Sequence, residues 1–298
     1  MCDTCDRPYA GLAGPSRRTV LRGVAGGVAA LGAAPLLGSG PAGASRTTPS
    51  LLVFSRTTGF RHASIEKGVE TVTALGEAGG FGVMATEDHE VFRRKQLRGF
   101  DAVLFLNTTG NVLDAPGRRA LRRFVLDGGG WAGVHSAADT EYDSPFHTRL
   151  LAGARFLCHP VQQPGVIVRE DGRHRSTRHL EELWQILFEE FYSFTSNPRD
   201  RARVLLSIDE STYLQDPNTS HLPPLGGYGI PGLPSESNPV SGTMGDHPMS
   251  WTHRVGRGRS WYTALGHEES MYDDEAYRRH LLGGLLTVIR HGRRSHRT

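Results

Sequence analysis

Four separated segments carry residues able to do chemistry: Arg61-His62, Gly133-Val134-His135-Ser136, Glu190 and Leu265-Gly266-His267. Each falls just after a predicted strand. In an open α/β sheet, ligands bind beyond the carboxyl ends of the strands, where several loops converge. Segments that each deliver an imidazole or a carboxylate to that edge predict one shared site. Imidazole nitrogens from His62, His135 and His267, with a carboxylate oxygen from Glu190, have the chemistry to hold one divalent metal ion. Such an ion could polarise a carbonyl or activate a water. The same residues could instead work without metal, with His135 or His62 and Glu190 as general base and acid. A third reading makes them polar groups that stabilise loop turns. No short ligand spacing such as His-x-x-x-His links these four residues.

The segment from Gly129 to Ala138 reads as a strand running into a tight turn flanked by small residues. It resembles the nucleophile elbow of α/β hydrolases and class I glutamine amidotransferases. The exposed elbow position holds His135, where an amidotransferase would carry Cys. Cys158 lies well downstream, so amidotransfer through a Cys nucleophile is disfavoured. Ser136 is an alternative nucleophile, one position off the elbow.

The elements that must position these residues alternate in the first half of the chain. Leu51–Phe54, Gly82–Ala85, Ala102–Leu106 and Trp131–Val134 read as strands. Helical patterns fall between them: about His62 to Ala78, with Ile65, Val69, Val72 and Leu75 on one face, then Val91 to Leu97, then Pro116 to about Asp127. Repeated β-α-β units of this length predict an α/β fold, with a mostly parallel sheet and helices on both faces. In the second half, Val166–Val168, Val204–Ile208 and Trp261–Leu265 look like strands. Leu180 to Leu187 looks helical, and Glu275 to Arg290 is a closing amphipathic helix. About 211–245 is dense in Pro, Gly, Ser and Asn and reads as a long surface loop.

A family resemblance rests on ordered blocks. They are Gly59-Phe60-Arg61-His62-Ala63-Ser64-Ile65, Gly133-Val134-His135-Ser136-Ala137-Ala138-Asp139-Thr140-Glu141-Tyr142, Gly153-Ala154-Arg155-Phe156 with His159-Pro160, and Glu189-Glu190-Phe191-Tyr192-Ser193-Phe194. His247-Pro248-Met249-Ser250-Trp251, Gly258-Arg259-Ser260-Trp261-Tyr262 and Leu265-Gly266-His267 complete the set. Together they resemble the ThuA-like (trehalose utilisation) domain family over roughly Leu51 to His291. The resemblance implies a flavodoxin-like fold related to class I glutamine amidotransferases without the catalytic Cys. It also implies carbohydrate metabolism, around trehalose-like disaccharides or their 3-keto derivatives. The ligand expected is a small sugar, and no nucleotide cofactor is expected. In that setting Arg61, Asp139, Glu141, Tyr192 and His159 are candidates for substrate binding. Their ordinary readings are a surface Arg, helix-capping acids, a core aromatic and a surface His. Trp251 and Trp261 could also stack on a sugar, although such aromatics are commonly core. A non-catalytic sugar-binding module is the rival from another class, and a Ser or Cys hydrolase is the third reading.

The amino terminus reads as a targeting segment. Ser16-Arg17-Arg18-Thr19-Val20-Leu21-Arg22 precedes a Gly/Ala-rich apolar stretch from Gly23 to Leu37, and Ala42-Gly43-Ala44 offers a small-residue cleavage site. We therefore expect residues 1–44 to be a twin-arginine export signal, and 45–298 to be a single α/β domain. The expected partner is the twin-arginine machinery, with no stable membrane anchor after cleavage and an extracellular or cell-envelope location. The signal carries four arginines and two aspartates, so cleavage lowers the formal net charge of +3 by two. A nearly neutral mature chain gives no support for nucleic-acid binding. Cys2 and Cys5 lie before the twin arginine, which leaves Cys158 alone and no internal disulfide.

Overall fold

A computed structural model describes residues 48–160, 162–213 and 243–295. The expected signal segment and residues 214–242 of the expected loop lie outside the described residues. Five strands open the architecture: β1 (Ser50–Phe54), β2 (Gly82–Thr86), β3 (Ala102–Leu106), β4 (Gly130–Val134) and the short β5 (Phe156–Cys158). β6 (Gln163–Arg169), β7 (Leu183–Glu189), β8 (Ser193–Phe194), β9 (Arg203–Ile208), β10 (Pro248–Val255) and β11 (Gly258–Thr263) follow. The helices are α1 (Ile65–Gly79), α2 (Arg94–Leu97), α3 (Ala115–Leu126), α4 (Pro145–Leu150) and α5 (Glu275–Ser295).

Nine strands form one sheet in the order β2-β1-β3-β4-β11-β10-β9-β6-β7, and β5 pairs with β8 in a small second sheet. Pairing is parallel from β2 to β11 and antiparallel from β11 to β7. Two successive reversals restore direction, so β9 and β7 run with the parallel strands and only β10 and β6 oppose them. The sheet is therefore mostly parallel. Its consequence for function is geometric: the carboxyl ends of β1, β4, β7 and β11 share one edge.

The inner strands are continuous apolar runs because both faces are covered; Leu51 to Phe54 and Ala102 to Leu106 are fully buried. α1 packs with α5, and α2 packs with α3. Right-handed crossovers that run first from β1 to β2 and then back to β3 place the two helix pairs on opposite faces. Local chemistry starts and stops the helices. Asp114 caps α3 by accepting from the Gly117 N–H at 2.7 Å, with Pro116 in the first turn. Gly80, at φ 73°, closes α1.

Several elements differ from the sequence expectation, among them the short α4, β5 and β8, which were not expected. Residues 180–187, expected as a helix, are a bend at 180–182 and then the first five residues of β7, because β6 offers a pairing edge that outweighs local propensity. The helix expected from Val91 to Leu97 is split between a 3-10 turn (His89–Val91) and α2. β10 was not expected, yet it joins β9 to β11. No helix among the described residues is long and apolar enough to cross a membrane.

Candidate functional site

β4 ends at Val134, and the chain turns at once through a 3-10 helix (His135–Asp139). The sharp turn requires His135 to adopt φ 48°, an uncommon conformation for a residue with a side chain. Gly133 makes the close approach possible, since a Cβ there would collide with the Trp131 ring. The elbow expected from the small residues is thus present, with a fully buried imidazole at its tip.

His135 Nδ1 lies 2.8 Å from the Ala264 carbonyl oxygen and donates to it, which leaves Nε2 as the lone-pair nitrogen. Nε2 faces Glu190 Oε2 at 3.3 Å and His267 Nδ1 at 3.1 Å. His267 Nδ1 is in turn 3.2 Å from Glu190 Oε2. His62 completes the group, with its ring edge-to-face to both other imidazoles at 4.8 and 5.1 Å. Donor atoms from His62, His135, Glu190 and His267 all lie within 4.8 Å of one another. For metal–ligand bonds near 2.0–2.1 Å, the edge of a tetrahedron is roughly 3.3 Å. Three of the donors already stand at that spacing, so the set fits a divalent metal ion.

The electrostatics suit a cation. Burial pushes the His135 imidazole down to about 4, and burial with the neighbouring His135 and His267 holds His62 well below its ordinary value. Both rings are neutral donors at neutral pH. Burial opposes ionisation of Glu190, but His159, His135 and His267 together hold it well below the usual carboxylate range. Burial also works against a charged His267, yet its hydrogen bond to Glu190 raises it. Without a metal, a proton carried by His267 beside the ionised Glu190 provides the neutralising charge.

A family model described as ThuA, trehalose utilisation, matches residues 50–286. The chain belongs to the ThuA family. Among solved structures it resembles a ThuA-like protein from Bacteroides uniformis, at 21% identity and a TM-score of 0.61, covering 83% of this chain and 94% of that one. It also resembles one from Parabacteroides merdae, at 16% identity and 0.60, covering 81% and 90%. At these identities the likeness speaks for the fold. No curated protein matches the chain.

Within this ThuA domain, His159 joins the cluster through Nδ1, 3.1 Å from Glu190 Oε1. Tyr192 is buried, with its ring centroid 4.1 Å from that of His135. Asp139 accepts from the Tyr142 hydroxyl at 2.7 Å, and burial lifts its carboxyl to about 6. Arg61 is engaged in ion pairs with Glu66 and Glu87 on the surface. Glu141 is buried, pairing with Arg118 and accepting from the Leu113 N–H. Trp251 and Trp261 are fully buried core residues. Ser136 is buried behind the elbow, with its Oγ 3.3 Å from His62 Nδ1, and Cys158 is buried.

Three supporting residues were not singled out from the sequence. Glu189 accepts from the N–H groups of Gly266 (2.9 Å), His267 (3.1 Å) and Glu190 (2.8 Å), which fixes the turn carrying His267. Gln162 Nε2 lies 3.3 Å from both Glu190 Oε1 and His267 Nε2. His247 donates from Nε2 to the Tyr192 carbonyl at 2.9 Å while its Nδ1 meets Glu210. Alternation along a strand was the available signal for Glu189: of two adjacent acids, only one can face the site.

Proposed function

We propose that this ThuA protein is a sugar-active enzyme whose centre is a divalent metal ion held by His62, His135, Glu190 and His267. The reading rests on the convergence of these four donor groups within 4.8 Å at the carboxyl edge of the sheet. The substrate class proposed is a trehalose-like disaccharide or its 3-keto derivative, in keeping with family membership. A bound ion would polarise a sugar carbonyl or lower the pKa of a water. His135 is oriented by Ala264 and packed at a tilt against the Tyr192 ring, while His159 and Gln162 hold the far oxygen of Glu190. Asp139, with a carboxyl near 6, is a group able to take and return a proton at near-neutral pH. Export through a twin-arginine signal in residues 1–44, followed by work outside the cytoplasm, belongs to the same proposal.

The test is elemental analysis of the purified protein, followed by turnover assays on trehalose and 3-ketotrehalose with and without chelator. About one metal ion per chain and chelator-sensitive turnover are expected. Sugar binding with no turnover on either compound would sink the enzyme reading and favour a binding module. The Ser136–His62 contact favours a second reading, a serine hydrolase. It predicts covalent labelling of Ser136 by a fluorophosphonate, lost in Ser136→Ala.

A further inference from the structure

We infer that an arginine-lined groove between α2 and α3, which shares no residue with the histidine cluster, binds a small polyanion carrying two or more phosphate-type groups. The groove consists of two adjoining cavities of about 640 Å³ and about 220 Å³, which share Arg94, Ala120, Arg123 and Asp127. Seven arginines line it, with Asp127 as the one acid. A formal charge of only +3 for the whole chain makes this local excess an uneven distribution rather than a generally basic surface.

The arginines divide into two sets. Arg93 is clamped by Asp114 at 3.2 and 2.9 Å, Arg123 pairs with Asp127 at 3.6 Å, and Arg257 donates to the Asp127 carbonyl at 2.8 Å. Arg94, Arg98, Arg119 and Arg122 are exposed and form no ion pair among the described residues. Arg94 and Arg98 are four apart, as are Arg119 and Arg123, and Arg122 is three from Arg119. Like charges at those spacings on a helix repel one another and destabilise it. A glutamate at one of these positions would relieve only the pairs it joins, whereas a bound polyanion relieves all of them together. Guanidinium groups also match phosphate oxygens in paired hydrogen bonds.

The lining narrows the class of ligand. Phe124 is the one aromatic side chain in it and is buried, so bases of a single-stranded nucleic acid would find nothing to stack on. None of the exposed large apolar residues, such as Phe60, Met84 and Leu187, lies in the groove, so nothing there would insert into a lipid surface. The floor of Leu97, Ala120 and Leu126 forms a recess of the size that holds a small molecule. It reaches the amino edge of the sheet, where the Arg257 N–H bonds to the Leu126 carbonyl, away from the edge that carries His135.

Calorimetric titration of the full chain with inorganic tripolyphosphate tests this inference. The same titration of His135→Ala separates groove binding from chelation at the histidine cluster. Saturable one-to-one binding is expected, equal in His135→Ala, at least 10-fold weaker in Arg94→Ala/Arg122→Ala and unchanged in the exposed control Arg173→Ala. Absence of saturable binding would overturn the inference, as would binding that is indifferent to the Arg94/Arg122 pair or lost in His135→Ala. Association only with phosphatidylglycerol vesicles, and not with tripolyphosphate, would overturn it in favour of a membrane surface.

Discussion

Glu189 and Glu190 adjoin in the chain and do opposite electrostatic work. Glu190 Oε2 faces the imidazoles of His135 and His267 and stays ionised. Glu189 is fully buried, its carboxyl pushed up to about 7 by burial, and its oxygens accept from three backbone N–H groups. Glu189→Ala leaves those N–H groups without their acceptor and frees the turn that carries His267. We expect a loss of about 1–3 kcal/mol in stability and of about 10–100-fold in metal affinity. Denaturant unfolding and metal titration read the two effects separately, and unchanged metal affinity would deny Glu189 its positioning role.

His135 can be removed without disturbing the elbow. Asn tolerates positive φ better than most residues, so His135→Asn keeps the turn at φ 48° while deleting the Nε2 donor. The expected result is a folded protein with little bound metal, seen by elemental analysis beside circular dichroism. Full metal occupancy in this variant would place the ion elsewhere.

Acid should destabilise the fold through histidines outside the site. His147 and His280 are buried, and burial pushes both imidazoles down to about 3 from an ordinary 6.5. A base whose folded pKa is depressed contributes stability that is present above 6.5 and lost as pH falls toward 3, because the unfolded chain binds the extra proton. Each group should contribute a slope of about 1.4 kcal/mol per pH unit within that window. Urea unfolding at intervals from pH 7 to pH 4 measures the slope, and His280→Gln should flatten it by about one group's share. An unaltered slope in that variant would show that His280 does not contribute.

Two glycines should respond differently to alanine. Gly266, at φ 116°, has no room for a Cβ beside the hydroxyl of Tyr277 and the side chain of Val134. Gly245, at φ 72°, has open space where a Cβ would stand, with no neighbouring atom within 4 Å. Gly245→Ala should therefore cost about 1 kcal/mol from backbone conformation alone. Gly266→Ala should cost several-fold more and reduce metal binding by moving His267. Equal midpoints for the two variants in chemical denaturation would contradict the packing argument.

Much of the site was legible in the sequence because a parallel sheet turns chain order into spatial convergence. His62, His135 and His267 each follow a strand that local apolar runs reveal. Their arrival at one edge then follows from the crossover rule. The elbow was legible for a similar reason, since small residues around His135 signal a tight turn by steric need alone.

Other features depended on partners distant in the chain. Leu180, Leu183, Trp184 and Leu187 repeat at helical spacing, and only the edge of β6 makes residues 183–189 a strand. That pairing, with the reversals at β10 and β6, is what carries Glu190 to the histidines. Arg61 and Glu141 have side chains suited to a sugar, but their nearest opposite charges, Glu66 with Glu87 and Arg118, engage them elsewhere. The sequence by itself determined the family, the parallel core and the residue types at the strand ends, because these follow from local pattern and chain direction. Tertiary structure decided which oxygen meets which nitrogen, and why Glu189 supports what Glu190 completes. Hydrogen bonds and ion pairs between distant segments, such as that between His135 and His267, 132 residues apart, have no signature in local spacing.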